Sequence, residues 1–170
     1  MTLKWIGAAL VVIGCGGFGF RMAHRYKMEL RDLRELDEAI RWMICELEYR
    51  QSPLPQLIRG AALKCVGPLK GLFTRLSTEL EAQISPNAVG CMEAALIKCA
   101  LEEGLLVSNL RKLGRTLGEF HLQGQISSLQ AVLLDCERDI TQLEQNRPQR
   151  IRSYQTLGFC AGAALAILFV

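Results

Sequence analysis

The sequence has few aromatic residues, few histidines and no large excess of either charge. Aromatic residues make up 6% of the 170 residues, although half of the chain is hydrophobic and its mean hydropathy is +0.18. The formal net charge is only +3. These values exclude a disordered chain, a collagen-like chain and a nucleic-acid binder that depends on bulk charge. A positive mean hydropathy with so few aromatic residues indicates that membrane segments raise the average, in a chain long enough for one domain.

Residue types that carry chemistry are scattered along the chain. The 7 cysteines form no CxxC pair, and His24 and His121 have no cysteines at the spacing of a zinc site. The segment from Gly67 to Gly71 lacks the GxxxxGK pattern of a phosphate-binding loop. We therefore predict no catalytic residues, no cofactor and no metal, and we expect most cysteines to act as small hydrophobic core residues.

The apolar residues concentrate at the two ends of the chain. Residues 3–20 contain a single charge, Lys4, and residues 156–170 contain none. All 17 acidic residues lie between these stretches. Each stretch has the length of a short membrane-spanning helix. We therefore predict transmembrane segments over residues 1–20 and 154–170, with a central domain over residues 21–153.

Basic residues flank both predicted spans on the side of the central domain. Because positive charge beside a span tends to stay in the cytoplasm, we expect the central domain to be cytoplasmic. The glycines Gly158 and Gly162 form a GxxxG spacing, which favours close packing of helices in a membrane. The flanking basic residues are Arg21, Arg25, Lys27, Arg147, Arg150 and Arg152.

The N-terminal segment has two other interpretations besides a membrane anchor, namely a cleaved signal peptide and a buried core helix. Lys4 before an apolar run is typical of a cleaved signal peptide, and the residues up to Cys15 resemble a lipoprotein processing site. The alternative is therefore a lipid-anchored or secreted helical binding module with Cys15 acylated. The anchor is favoured because the apolar run continues past Cys15 to Phe20 and stops at a basic cluster.

The central domain shows apolar residues at helical spacing and no sustained alternation with a period of two. We predict an all-α fold: a cytoplasmic bundle of about six helices, flanked by N- and C-terminal transmembrane helices. The first and last helices of the bundle should lie near each other, because both continue into the membrane. The stripe of the first helix, which should end near Arg50, comprises Leu30, Leu33, Leu36, Ile40, Met43, Ile44 and Leu47.

Proline, serine and glycine mark the expected helix boundaries. In Ser52-Pro53 the serine should cap a helix and the proline should fit its first turn. Gly67-Pro68 and Ser85-Pro86 should start two further helices, the second with Val89 on its apolar stripe. Gly104 should end that helix, and residues 118–124 should form a turn or a break.

A cluster of charges around this last turn is the candidate interaction site. Arg111, Lys112 and Arg115 precede the turn, and Glu119 lies within it. We predict that these four side chains form a docking face for a protein partner.

Several short motifs, in order along the chain, resemble the stage III sporulation protein AB family. They are Gly7 in the first span, the proline turn at residues 52–55 (Ser-Pro-Leu-Pro), residues 113–118 (Leu-Gly-Arg-Thr-Leu-Gly) with Gln125 beyond, and the ending at residues 152–162 (Arg-Ser-Tyr-Gln-Thr-Leu-Gly-Phe-Cys-Ala-Gly). The family has Ser-Asp after the second glycine of the central motif, where this chain has Glu119-Phe120-His121. Glu119 is the nearest substitute for that aspartate.

The resemblance implies a role in endospore formation in Firmicutes, within the complex that links the mother cell and the forespore. It also implies a cytoplasmic domain similar to the helical domains of the platform protein of type II secretion and type IV pilus systems. By that analogy the partners are the cytoplasmic ATPase of the complex (its AA protein) and neighbouring membrane subunits. The chain would then be a non-enzymatic scaffold in the mother-cell membrane, with homo-oligomerisation left open.

Overall fold

A computed structural model of the protein describes the backbone of residues 2–82, 87–117 and 122–169. This described backbone forms six α-helices and contains no β-strand. Side chains are described for residues 24–82, 87–117 and 122–145. The predicted all-α fold is confirmed. The helices are α1 (Thr2–Arg50), α2 (Leu54–Lys64), α3 (Gly67–Glu81), α4 (Ala88–Cys99), α5 (Leu105–Thr116) and α6 (Leu122–Phe169).

The chain divides into two compact units. One unit, Glu29–Thr141, is called the bundle below, and the other consists of Met1–Met28 with Gln142–Val170. Among the helical residues with described side chains, no stretch is long and apolar enough to cross a membrane. The spans predicted over residues 1–20 and 154–170 lie outside those residues, as do Gly158 and Gly162.

The apolar stripe of α1 forms the longest part of the bundle core. All seven stripe residues from Leu30 to Leu47 are buried, and α1 ends at Arg50 as expected. Full burial of one large aliphatic side chain stabilises a fold by about 1.5–3 kcal/mol. The stripe is therefore a large part of the energy that holds the bundle together.

The shorter helices complete the core from α2 to α5. Along the chain, α2 packs on α3, α3 on α4, and α4 on α5. Leu57 and Ile58 of α2 and Leu72 and Phe73 of α3 are fully buried. The placement of Val89 on the buried stripe of α4 is wrong: Ala88 is buried there instead, and Val89 is 36% exposed.

The first and last helices lie side by side, as the sequence predicts. In the bundle, the thiol of Cys136 donates a hydrogen bond to the carbonyl oxygen of Leu33 at 3.4 Å, and Arg41 pairs with Glu137. In the second unit, the hydroxyl of Tyr26 donates to the carbonyl oxygen of Leu143 at 2.6 Å. The contacts between α1 and α6 thus include polar ones in each unit.

Two of the predicted helix boundaries need correction. The Ser52 hydroxyl donates to Glu46 at 3.0 Å, and Pro53 occupies the capping position of α2 without a side-chain cap. Helix α4 ends at Cys99, with Ala100 in the left-handed conformation, and Gly104 takes the N-cap position before α5 instead of ending α4. At Ser52 the hydroxyl is bound to Glu46 and cannot cap α2, and at the end of α4 the left-handed backbone of Ala100 stops the helix.

The next two boundaries are partly described. Ser85, Pro86 and residues 118–121 lie outside the residues that the structure describes. The side chain of Asn87 caps α4 by accepting a hydrogen bond from the amide of Gly90 at 2.8 Å. The predicted turn ends earlier than Gly124, which lies inside α6.

Carboxylates of α1 reach the starts of two other helices that have no side-chain cap of their own. Glu29 accepts a hydrogen bond from the backbone amide of Leu105, the first residue of α5, at 3.0 Å. Glu35 accepts one from the amide of Val66, which immediately precedes α3. A negative charge at a helix N-terminus is favourable because the free amides there carry partial positive charge. A Cβ atom at Gly104 would lie 2.7 Å from the Glu29 carboxylate, so glycine leaves room for this contact.

Replacing this long-range cap should cost stability. Glu29→Ala is expected to lower the free energy of unfolding by about 1 kcal/mol, the usual cost of losing an N-terminal cap. Glu48→Ala is the matched control, since Glu48 is an exposed glutamate on the same helix, and it should change stability by less than about 0.5 kcal/mol. Urea unfolding of the full chain measures both. Equal effects of the two substitutions would contradict the capping role of Glu29.

The absence of a side chain at Gly114 lets α5 approach α4. A Cβ atom at Gly114 would lie 2.7 Å from Cβ of Met92 and 2.8 Å from its Cγ. Met92 is itself buried, and its Cβ cannot swing away as a side-chain tip can. The close packing of the two helices therefore depends on glycine at this position.

Two Gly→Ala substitutions should have opposite effects. Gly114→Ala is expected to destabilise the bundle by about 1–3 kcal/mol through overpacking. Gly71→Ala in α3, where no atom lies within 4 Å of the added methyl group, should stabilise by up to about 1 kcal/mol because alanine favours the helix. Thermal unfolding of both variants checks this, and a neutral or stabilising Gly114→Ala would show that α4 and α5 are not tightly packed there.

Candidate functional site

The candidate docking residues lie on α5, a helix with one strongly apolar face. Leu106, Leu110 and Leu113 are buried against the rest of the bundle. Because residues three and four apart share a helix face, the burial of these leucines leaves Arg111, Lys112 and Arg115 at the border of the buried face or beyond it. Arg111 and Lys112 are half-buried and Arg115 is exposed.

Arg111 links α5 to α4 and to the segment between them. Its two terminal nitrogens hydrogen-bond to both carboxylate oxygens of Glu103, at 2.8 and 2.9 Å. Its Nε donates to Glu93 on α4 at 3.0 Å. The bidentate pair lowers the pKa of Glu103 and raises that of Arg111. Such fixed geometry is typical of an arginine that positions neighbouring elements.

Lys112 links α5 to α6. Its ammonium group donates to Asp135 at 2.7 Å, and Arg138 approaches the other oxygen of the same carboxylate at 3.6 Å. The hydrogen bond from Lys112 lowers the pKa of Asp135. The carboxylate is therefore charged at neutral pH and shared between two cations.

Arg115 differs from its two neighbours. Its side chain is exposed, and within the described part of the chain it forms no ion pair. Glu119, the fourth predicted docking residue, lies outside the described residues. Of the three described candidates, Arg115 is therefore the one whose charge is most accessible to a partner.

The predicted membrane-flanking residues are described only in part. Arg25 and Lys27 are exposed on α1. The side chains of Arg21, Arg147, Arg150 and Arg152 lie outside the described residues.

Three of the five described thiols have the expected core position. Cys65, Cys91 and Cys136 are buried, whereas Cys99 is half-buried and Cys45 is exposed. Burial raises the pKa of Cys65 and that of Cys136 to about 12, so both are protonated at neutral pH and poor nucleophiles. Among the residues with described side chains, no three histidine, cysteine, aspartate or glutamate side chains are placed to hold a metal ion.

Helix α5 also contains a buried polar contact that the sequence does not predict. Asn109 of α5 is fully buried, and its amide nitrogen donates to the Leu105 carbonyl at 3.0 Å and to Asp139 of α6 at 2.6 Å. The only local signal is a polar residue within a leucine-rich stripe. Its partner lies 30 residues away, so the pair could be recognised only after α5 and α6 had been placed together.

The fold and this site define a small helical-bundle protein whose charged side chains tie neighbouring helices together. Residues 4–170 match the family model described as stage III sporulation protein AB. The chain therefore belongs to the stage III sporulation protein AB family, which confirms the resemblance and supports a role in sporulation. The family is named for sporulation and not for a chemical reaction.

Two known proteins illustrate the likeness. The chain is 28% identical over 171 residues to stage III sporulation protein AB of Bacillus subtilis (strain 168), with 99% of each chain covered. It is also similar to a solved structure of stage III sporulation protein AB (SpoIIIAB), with a TM-score of 0.61 and 24% identity. That alignment covers 69% of this chain and 94% of the solved one, and it supports the fold.

Proposed function

We propose that the chain is a non-enzymatic platform subunit in the mother-cell membrane around the forespore. It would couple the cytoplasmic ATPase of the sporulation complex to the membrane subunits of that complex. The observation that carries this proposal is the pairing of the two longest helices, α1 and α6. They contact each other through Cys136 and Leu33 and through Tyr26 and Leu143, and each continues toward an apolar end of the sequence.

The membrane attachment is part of the same proposal. Residues 1–20 and 154–170 would each cross the membrane, with Gly158 and Gly162 packing against the other span or a neighbouring subunit. The basic residues beside each span would hold the bundle in the cytoplasm. A protein attached at both ends by neighbouring helices would keep the bundle close to the membrane surface, where a platform subunit must act.

The thiol of Cys45 tests this topology without any substitution. In intact cells, a membrane-impermeant maleimide should leave the exposed Cys45 unlabelled, and permeabilisation should allow its labelling. Cys45→Ser provides the background, since it removes this exposed thiol and leaves the other cysteines of the chain in place. Labelling of Cys45 in intact cells would contradict a cytoplasmic bundle and would favour the lipid-anchored or secreted module with Cys15 acylated.

Arg115 is the best candidate for docking the ATPase. Arg111 and Lys112 already hold helices together, so they would support the docking face by fixing its shape, with Glu119 completing its charge pattern. An accessible charge at an interface steers association and specificity. A reversed charge at Arg115 would therefore oppose an acidic partner surface without disturbing the described ion pairs of the bundle.

Charge reversal at Arg115 should weaken recruitment of the ATPase. Arg115→Glu is expected to reduce co-purification of the ATPase with the full chain by about three- to tenfold, as for a contact at the edge of an interface. Arg75→Glu is the control, because Arg75 is an exposed arginine on α3 that forms no ion pair with described residues. An equal loss in both variants, or no loss in Arg115→Glu, would contradict this docking face.

A further inference from the structure

The outward face of α4 is uncharged at its centre. Gly90, Ala94 and Ile97 occupy this centre, at spacings of four and three residues, and Ile97 is 77% exposed. The buried residues of the same helix, which include Cys91, Met92 and Ala95, lie on the opposite side. Gly90 and Ala94 are half-buried, and Ile97 is a large aliphatic side chain that this face leaves exposed.

The two charged residues of α4 lie on either side of this central strip. Glu93 accepts a hydrogen bond from Arg111 of α5 at 3.0 Å, yet its side chain remains 42% exposed. Lys98 pairs with the buried Glu79 of α3, and its side chain remains 50% exposed. Each charge is thus held in position by a neighbouring helix while part of it faces outward.

We propose that a second copy of this chain covers this face, with the two α4 helices side by side and parallel. Spacings of four and three residues are those of a coiled-coil seam, in which Gly90 and Ile97 take one seam position and Ala94 the other. Glu93 and Lys98 then occupy the two flanking positions that set partner choice and orientation in such pairs. The small side chains of Gly90 and Ala94 would allow a close approach, and the two Ile97 side chains would bury each other.

Charge complementarity decides both the occupant and the orientation. In a parallel pair, flanking residues five positions apart face each other, so Glu93 of each copy would meet Lys98 of the other. Four charges would then alternate along each side of the interface: Arg111 and Glu93 of one copy, followed by Lys98 and Glu79 of the other. An antiparallel pair would instead bring Glu93 against Glu93 and Lys98 against Lys98, and like charges in such contacts are unfavourable.

This dimer goes beyond the proposed function, which requires no second copy. Its test uses the full chain in detergent micelles, with the oligomeric state measured by sedimentation. Ile97→Glu would place a charge in the seam and should raise the dimer dissociation constant by at least about tenfold. Leu63→Glu is the matched control, because Leu63 is an equally exposed aliphatic residue, 78% exposed, on α2. Both variants should keep the helical content of the parent by circular dichroism.

A cysteine pair tests the parallel orientation independently. Ala94→Cys should form a disulfide between copies on mild oxidation, because a disulfide requires Cα atoms within about 7 Å. Thr74→Cys, on the exposed face of α3, should not exceed the background of the parent chain. A chain that is monomeric at all concentrations would overturn the proposal, as would an Ile97→Glu variant that dimerises as well as the parent. Failure of Ala94→Cys to cross-link a dimeric chain would overturn the parallel arrangement.

Discussion

Burial of the apolar stripe of α1 is the interaction on which the rest of the bundle depends. Its residues from Leu30 to Leu47 are buried along five helical turns, and the charged residues of the same helix are then directed to its border. That placement brings Glu29 and Glu35 to the starts of α5 and α3 and Arg41 to Glu137 of α6. One helix therefore supplies both a large share of the core and polar contacts that orient its neighbours.

Several of the described ion pairs in the bundle join different helices. Arg111 joins α5 to α4, Lys112 joins α5 to α6, and Lys98 joins α4 to α3. Exposed ion pairs contribute little free energy individually, but each of these pairs favours one relative placement of two helices. Such pairs therefore add to the register that the close packing of the core already sets.

The helices could be predicted from the sequence because burial of one helix face requires apolar residues three and four positions apart, as in the stripe of α1. The sequence predicted boundaries poorly where a distant side chain competed with the local signal. Ser52 is a good capping residue by its type, yet Glu46 takes its hydroxyl. Gly104 resembles a helix stop, yet it takes the N-cap position before α5, where the Glu29 carboxylate caps that helix. The docking residues were recognised as charged, but their ion pairs depend on tertiary contacts that spacing alone does not contain.

The proposed docking residue Arg115 and the proposed dimer face of α4 are related through the contact between α5 and α4. Gly114 lies against Met92, so Arg115, the next residue, is at the level of the N-terminal half of α4. A parallel two-fold pair of α4 helices would place equivalent residues at the same end of the dimer. Because the two-fold axis would run along the helices, the two copies of Arg115 would lie at the same height but on opposite sides of that axis. Two linked weak contacts bind more tightly than one when a partner can span both, so the proposed dimer would strengthen the proposed docking only to a partner that reaches both copies of Arg115.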